Sequence, residues 1–355
     1  MTSHTNVAIV GAGAAGLYAA ALLEQRGIDA VVLEARDRIG GRLLSIDVEG
    51  GRVDLGATWF WANEQRITQL IADAGLAAFP QHLAGDMVYQ PDEHSTRRID
   101  HQLDTPAGRL PLGMASISEV LVEQLSKTPV QLSTVVTAVA EPDGEDGGAL
   151  HLTTNQGDWS AEHVILAIPP ALAMEAIDFS DGLDGQVASL ARATPVWMGA
   201  TVKVVAVFDQ PFWRHDGLAG AAISHVGPMR EIHDMSGPEG LPAALFGFCA
   251  LPASAAAPTE ADVVQQLTAL FGDEAGTPTA VHIMDWRSEP FTSPSTVEQL
   301  TNYQTYGHPR FQQPSLKGRL HWASTETSPV APGHIEGALT AATRSVNTIL
   351  SGDTT

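Results

Sequence analysis

The chain has 355 residues, room for a large core and an expected division into two domains, and at 44% hydrophobic residues it reads as globular rather than disordered. Its formal charge of −22 argues against nucleic acid, whose phosphates require a basic surface. An acidic field of this size steers cationic substrates or merely keeps a chain soluble, and no apolar run approaches the ~18 residues of a membrane span.

The first predicted element starts almost at once. Residues 7–10 form an apolar run typical of a buried parallel strand. No charged-then-apolar leader precedes it, which points to a cytoplasmic protein. Gly11, Gly13 and Gly16 follow at GxGxxG spacing, then an Ala/Leu-rich helix to about Arg26, closed by Gly27. Residues 30–33 are a second strand, with Glu34 at its end. This is the strand–helix–strand fingerprint of dinucleotide binding. Gly11 permits the tight turn, Gly13 lets the backbone approach a pyrophosphate, and Gly16 lets helix and strand pack closely. Ala14 and Ala15 open the helix, whose free N–H groups face the phosphates. Glu34, 18 residues after Gly16, suits a ribose diol and would repel a 2′-phosphate.

The next residues narrow the dinucleotide. Glu34, Ala35, Arg36, Arg38, Gly40, Gly41 and Arg42 spell E-A-R-x-R-x-G-G-R, and Asp54, Leu55, Gly56, Ala57, Thr58 and Trp59 follow. The pattern resembles the flavin-containing amine oxidase family, which includes monoamine, polyamine and L-amino-acid oxidases. The resemblance implies FAD, with the glycine pair and Arg42 against its pyrophosphate and the 54–59 turn passing the flavin. Two glycines permit close backbone approach, and Arg42 offers a forked donor to phosphate.

Beyond Trp61, residues 64–74 predict a helix stopped by Gly75, and residues 84–99 a pair of strands about a turn at 90–93. A helix is expected over 116–125, and a strand pair or one long strand over 130–139. A Gly-rich acidic turn over 142–148 and strands at 150–154 and 163–168 follow. The resemblance makes 130–139 the strand that clasps adenine, at Val136. Family members carry a long helical insertion between the positions matched by Tyr89 and Leu110. This chain crosses that gap in about twenty residues, a length for a loop or hairpin. Much of the roof over the substrate cavity is then expected to be missing.

Residues 201–208 predict a strand interrupted by Lys203. Periodicity alone favours an outward-facing lysine, because a buried unpaired ammonium is costly. The segment through Arg214 resembles the family stretch whose lysine holds a water beside flavin N5, which makes Lys203 the catalytic candidate. Phe248 falls where relatives line the substrate cavity, although a plain core role fits it equally. Cys249 is the single cysteine, so neither an intrachain disulfide nor a cysteine-based zinc site is expected, and no metal. It reads as a small buried hydrophobe. Residues 262–270 predict an amphipathic helix and 282–286 a strand.

The last segment, 318–338, resembles the family's TET strand and EGA helix start. That implies Glu326 on the ribityl chain, and Ile335 and Ala338 in a helix start facing the flavin pyrimidine. A helix N-terminus there stabilises negative charge on the reduced ring. Ser295 falls where some relatives attach flavin through cysteine, so the FAD is expected to be non-covalent. Thr296 and His334 fall where monoamine oxidases place two cage tyrosines. Trp61, Phe248, Thr296 and His334 are the expected pocket residues.

Together these imply an α/β fold: a Rossmann-like FAD-binding domain (1–79, 110–192 and 291–355) and a smaller sheet-containing α+β substrate domain (80–109 and 193–290). The expected reaction is hydride transfer from the carbon beside a small-molecule amine to flavin N5, with oxygen as acceptor. Two alternatives stay open: oxidation or desaturation of a non-amine, and an FAD-binding subunit whose cavity a protein partner or second copy completes.

Overall fold

A computed structural model describes residues 2–100, 107–141, 148–180, 182–249, 251 and 254–352. The strand Ser3–Val10 is apolar and buried along residues 7–10, as a central parallel strand must be. Ala30–Leu33 lies parallel on one side of it, with Val7 opposite Ala30. Trp159–Leu166 lies parallel on the other side, with Val7 opposite His163. Val130–Gln131 flanks Ala30–Leu33, while Leu150–Thr154 and Val136–Ala140 extend the opposite edge antiparallel. Leu320–Trp322 adds a further parallel pairing to Trp159–Leu166. The helices Ala14–Gln25 and Ile335–Gly352 pack over one face, and Pro170–Ala176 and Gly185–Arg192 over the other.

The stretch expected as a strand pair or one long strand over 130–139 is thus a pair, divided between opposite edges of the sheet. Ser133 turns it with φ 54°. Ser133 and Thr134 donate backbone N–H groups to the carbonyls of Arg36 and Glu34 at 2.7 and 2.8 Å, so the crossing runs over the end of Ala30–Leu33. Most of the acidic turn expected over 142–148 lies outside the described residues.

A second sheet of seven strands runs in the order Ala280–Asp285, Val202–Phe208, Ala243–Cys249, Met229–Asp234, Leu218–Ser224, Asp86–Asp92 and Ser95–Asp100. Neighbours are antiparallel except Leu218–Ser224 and Asp86–Asp92. The expected strand pair over 84–99 is the final hairpin, its turn one or two residues later than the 90–93 signal. The gap between Tyr89 and Leu110 therefore holds the rest of a hairpin, residues outside the description and the two-residue strand Gly108–Arg109.

Val202–Phe208 is buried along its whole length, and alternation sorts its residues. Val202, Val204, Ala206 and Phe208 pack in the cluster of helix Glu260–Phe271, whose start carries a Thr259–Asp262 capping box. Val205 and Val207 face Val53, Leu55, Met235 and Phe246 instead. Lys203 shares their side, opposite Phe248 and Met284, and is 1% exposed. The outward-facing alternative is excluded because neither face of this strand meets solvent. No helix among the described residues is long and apolar enough to cross a membrane.

Candidate active site

A cavity of about 750 Å³ runs from the glycine loop of the first sheet to the second sheet. At its first end the loop is tight for steric reasons. Gly11 has φ +103°, and a Cβ on Gly16 would stand 1.9 Å from the carbonyl oxygen of Gly11, so helix and strand close only without a side chain there. Gly40 donates its N–H to the carbonyl of Ala12 at 2.8 Å, laying the glycine pair across the loop. The guanidinium of Arg38 braces this turn through the carbonyls of Ile39 and Gly41, at 3.1 Å each.

Glu34 is 3% exposed and lines the cavity. Its carboxylate accepts from the backbone N–H groups of Ala12 at 2.6 Å and Arg36 at 2.9 Å, and retains lone pairs for a ligand. Arg36 reaches Glu289 at 3.1 Å and donates to Thr292 Oγ1 at 2.8 Å. Ala35 is half-buried between these two residues and is not on the wall.

Three observations test whether a flavin dinucleotide fits. Helix Ala14–Gln25 has no capping side chain, so its first N–H groups at Ala14 and Ala15 open onto the cavity. A Cβ on Gly13 would meet only the Gly40 oxygen, at 3.8 Å, so that backbone is open to a ligand. Ser324 Oγ is buried on the wall with no hydrogen-bond partner. Anion donors, an acidic ribose-type acceptor and an unsatisfied hydroxyl are the chemistry a dinucleotide would complete.

Arg42 and Glu326 bring the two ends of the chain together. Arg42 donates to both oxygens of Glu326, at 2.6 and 3.2 Å, and to the Trp197 carbonyl at 3.1 Å. Glu326 is fully buried and also accepts from the Trp197 N–H. Gly56 must lack a side chain because a Cβ would stand 2.0 Å from the Arg42 carbonyl oxygen. Gly41, Arg42, Gly56, Ala57, Thr58, Trp59, Ile335 and Ala338 all line the cavity.

Lys203 forms part of the opposite wall. Its Nζ donates to the Gly56 carbonyl at 2.7 Å and to Thr58 Oγ1, both in the turn the sequence placed beside the flavin. The Phe246 ring centroid lies 4.5 Å away and that of Phe248 5.7 Å. Burial pushes the amine down to about 7; the Asp54 carboxylate opposes the shift and the Arg109 guanidinium adds to it.

An aromatic wall continues from there. Trp59 meets Phe246 at 5.2 Å, His233 at 4.9 Å and Trp61 at 6.4 Å between ring centroids. Trp61 stacks on His334 at 4.8 Å, and His334 Nδ1 lies 2.6 Å from Glu64 Oε1. Trp61, Phe248 and His334 line the cavity.

Besides Ala35, three expected residues are placed elsewhere. Thr296 is exposed and off the wall, at the start of the short turn Val297–Gln299. Ser295 is exposed with its Oγ on Glu175 at 2.7 Å. Phe291 and Thr292 reach the cavity from that segment instead, because its consecutive turns carry no periodicity from which a register can be read. Val136 is buried in the core of the first sheet, opposite Thr154, and is off the cavity wall. Residues not anticipated include Trp197, Arg230, Glu231, Thr292 and Ser324 on the wall and Glu64 behind His334; Glu64, a carboxylate heading a helix, had a local signal. Cys249 lines the cavity too, its thiol pushed up to about 12 by burial.

A dinucleotide cradle continuous with a buried lysine and an aromatic wall defines a flavin-dependent oxidoreductase. The model of the flavin containing amine oxidoreductase family matches residues 87–350, and that of an NAD(P)-binding Rossmann-like domain matches residues 9–74. The chain belongs to the flavin containing amine oxidoreductase family; it is an enzyme, and FAD is its cofactor. It is 26% identical to a probable flavin-containing monoamine oxidase A of Dictyostelium discoideum, over 96% of each chain. That alignment runs over 455 positions against 355 residues here, so a hundred or more positions of the relative have no counterpart. Putrescine oxidase of Kocuria rosea is 24% identical, covering 94% of this chain and 92% of its own. The fold matches cyclohexylamine oxidase from Brevibacterium oxydans with a TM-score of 0.83 at 20% identity, over 99% of this chain and 100% of that one.

Proposed function

We propose that the protein oxidises a small amine at its C–N bond, within a cavity shared by an FAD-binding domain (1–79, 110–192 and 291–355) and a substrate domain (80–109 and 193–290). The observation that carries this reading is the single cavity lined by Gly13, Glu34 and Arg42 at one end and by Lys203, Trp61 and His334 at the other. When bound, FAD supplies the hydride acceptor for the carbon beside the amine nitrogen, the imine product hydrolyses, and oxygen regenerates the oxidised cofactor.

The protein's residues hold and orient. Ala14 and Ala15 N–H groups and Arg42 would hold a pyrophosphate, Glu34 would accept from a ribose, and Glu326 would accept from the ribityl chain. The start of helix Ile335–Gly352 would stabilise negative charge at the ring. Lys203, with donors fixed on Gly56 and Thr58, keeps one position of Nζ for a water on the cavity side. Attachment is non-covalent: Ser295 is not a thiol and lies off the wall, and burial keeps Cys249 protonated.

Among the described residues no tyrosine lines the cavity and no helix lies between Tyr89 and Leu110, which supports a reading in which less apolar area closes over a small arylalkylamine. At about 25 cal/mol per Å² that weakens binding. Poor turnover of benzylamine and phenethylamine follows, with better substrates larger or more polar. Anaerobic mixing with a panel of amines tests the reading: at least one must bleach the flavin, and efficient bleaching by micromolar benzylamine would refute the substrate preference.

A further inference from the structure

His334 stands at the start of helix Ile335–Gly352, where Ala338 donates to its carbonyl at 3.3 Å. Its Nδ1 faces Glu64 Oε1 at 2.6 Å across 270 residues of sequence. Glu64 is 5% exposed and is itself fixed, because its other oxygen accepts the Trp61 N–H at 2.9 Å. The imidazole is clamped flat on Trp61, with Trp197 at 6.4 Å on another side. With Nδ1–H held by the carboxylate, Nε2 is an acceptor, and no described residue bonds it. A chain of contacts links this ring to the lysine: Trp61 to Trp59, then Thr58, then Lys203.

We infer that His334 is the base that takes the proton from an incoming alkylammonium ion, with Glu64 as its positioning residue. This rests on the amine-oxidising reading. Removal of hydride requires a nitrogen lone pair, yet an alkylammonium of pKa about 10.4 is overwhelmingly protonated near neutral pH. One N–H bond of the ammonium breaks, its electron pair stays on nitrogen, and the proton forms an N–H bond at His334 Nε2. The proton taken at Nε2 leaves Nδ1–H on the Glu64 carboxylate, which faces the ring at 2.6 Å. Other charged groups are Glu336 in the helix's first turn, its carboxylate taken by the Ile67 N–H, and the Arg42–Glu326 pair at the Trp197 backbone, while Lys203, Arg230 and Glu231 line the same cavity, Glu231 paired with His233.

The test uses the FAD-loaded protein, His334→Phe, which keeps a ring on Trp61, and Glu64→Gln, which keeps an acceptor for the Trp61 N–H. The rate of anaerobic flavin reduction at low amine concentration is measured against pH. Wild type levels off on the acidic side, whereas His334→Phe keeps falling about tenfold per pH unit below the ammonium pKa, and Glu64→Gln lies between. Calorimetry in two buffers with tert-butylamine, which has no hydrogen to lose from its α-carbon, counts protons without turnover. Wild type retains the proton on binding, and His334→Phe releases about one to buffer. Parallel pH profiles with equal proton counts would overturn the inference and leave the amine reading intact. Failure of every amine to reduce wild-type flavin at any pH would overturn that reading, and the inference with it.

Discussion

The two ends of the cavity are built by opposite means. The nucleotide end is made of main chain: glycines at 11, 13, 16, 40 and 41, and N–H groups of a helix start. The reactive end is made of side chains delivered by sheet register and loops: Lys203, Phe248, Trp61 and His334. Where such a glycine abuts backbone, as Gly16 does at 1.9 Å and Gly40 at 2.5 Å, an added atom is not tolerated, because backbone cannot rotate away. A side-chain site tolerates substitution structurally and loses chemistry instead. The comparison therefore predicts collapse at one end and altered rates at the other.

The largest effect is expected for Gly56→Ala, whose Cβ would meet the Arg42 carbonyl oxygen at 2.0 Å and the Leu44 nitrogen at 2.8 Å. Both are backbone atoms, so the variant should lose about 4 kcal/mol or more and purify with little flavin. Soluble yield and the ratio of flavin to protein absorbance report this. Gly185→Ala is the control at the other extreme. Gly185 has nothing within 4 Å of a Cβ, starts a helix, and should gain up to about 0.5 kcal/mol in a thermal melt.

Glu326→Gln comes next. It leaves the Arg42 guanidinium facing a neutral amide across a buried contact, at a cost of about 3 kcal/mol. Bound pyrophosphate offers Arg42 another partner, so the melting temperature should fall more in apoprotein than with FAD. An equal fall in both would detach Arg42 from the cofactor.

Much of the nucleotide end was legible in sequence, because Gly11 to Glu34 act within one strand–helix–strand unit whose spacing is fixed by local geometry. Lys203 was legible as an anomaly, a cation within an apolar strand. Its burial needed the sheet, since alternation alone does not say whether the second face is covered. Thr296 was misplaced because residues 286–312 run through successive short turns that preserve no register. Trp197 meets Glu326, and Glu64 meets His334, only because the fold brings together residues more than a hundred positions apart.

A separate effect, spread over several pH units, is the pH dependence of apoprotein stability. Lys203 sits near 7 when folded against an ordinary 10.5. Between those values the unfolded chain binds the extra proton, so stability rises with pH, by up to about 1.4 kcal/mol per unit from this group. Below pH 7 both states are protonated and the slope vanishes. Urea titrations across this range should show the slope in wild type and its loss in Lys203→Met. The smallest change expected concerns attachment: acid precipitation should leave FAD in the supernatant and a colourless pellet.

The most direct measurement is rapid mixing of Lys203→Met, first with an amine that reduces the wild type under anaerobic conditions and then with oxygen. The variant should retain FAD, because the nucleotide end is main chain. It should slow flavin reduction or reoxidation by about tenfold or more, as loss of one positioned donor does. Wild-type rates in both half-reactions would show that the buried lysine only supports the Gly56–Thr58 turn.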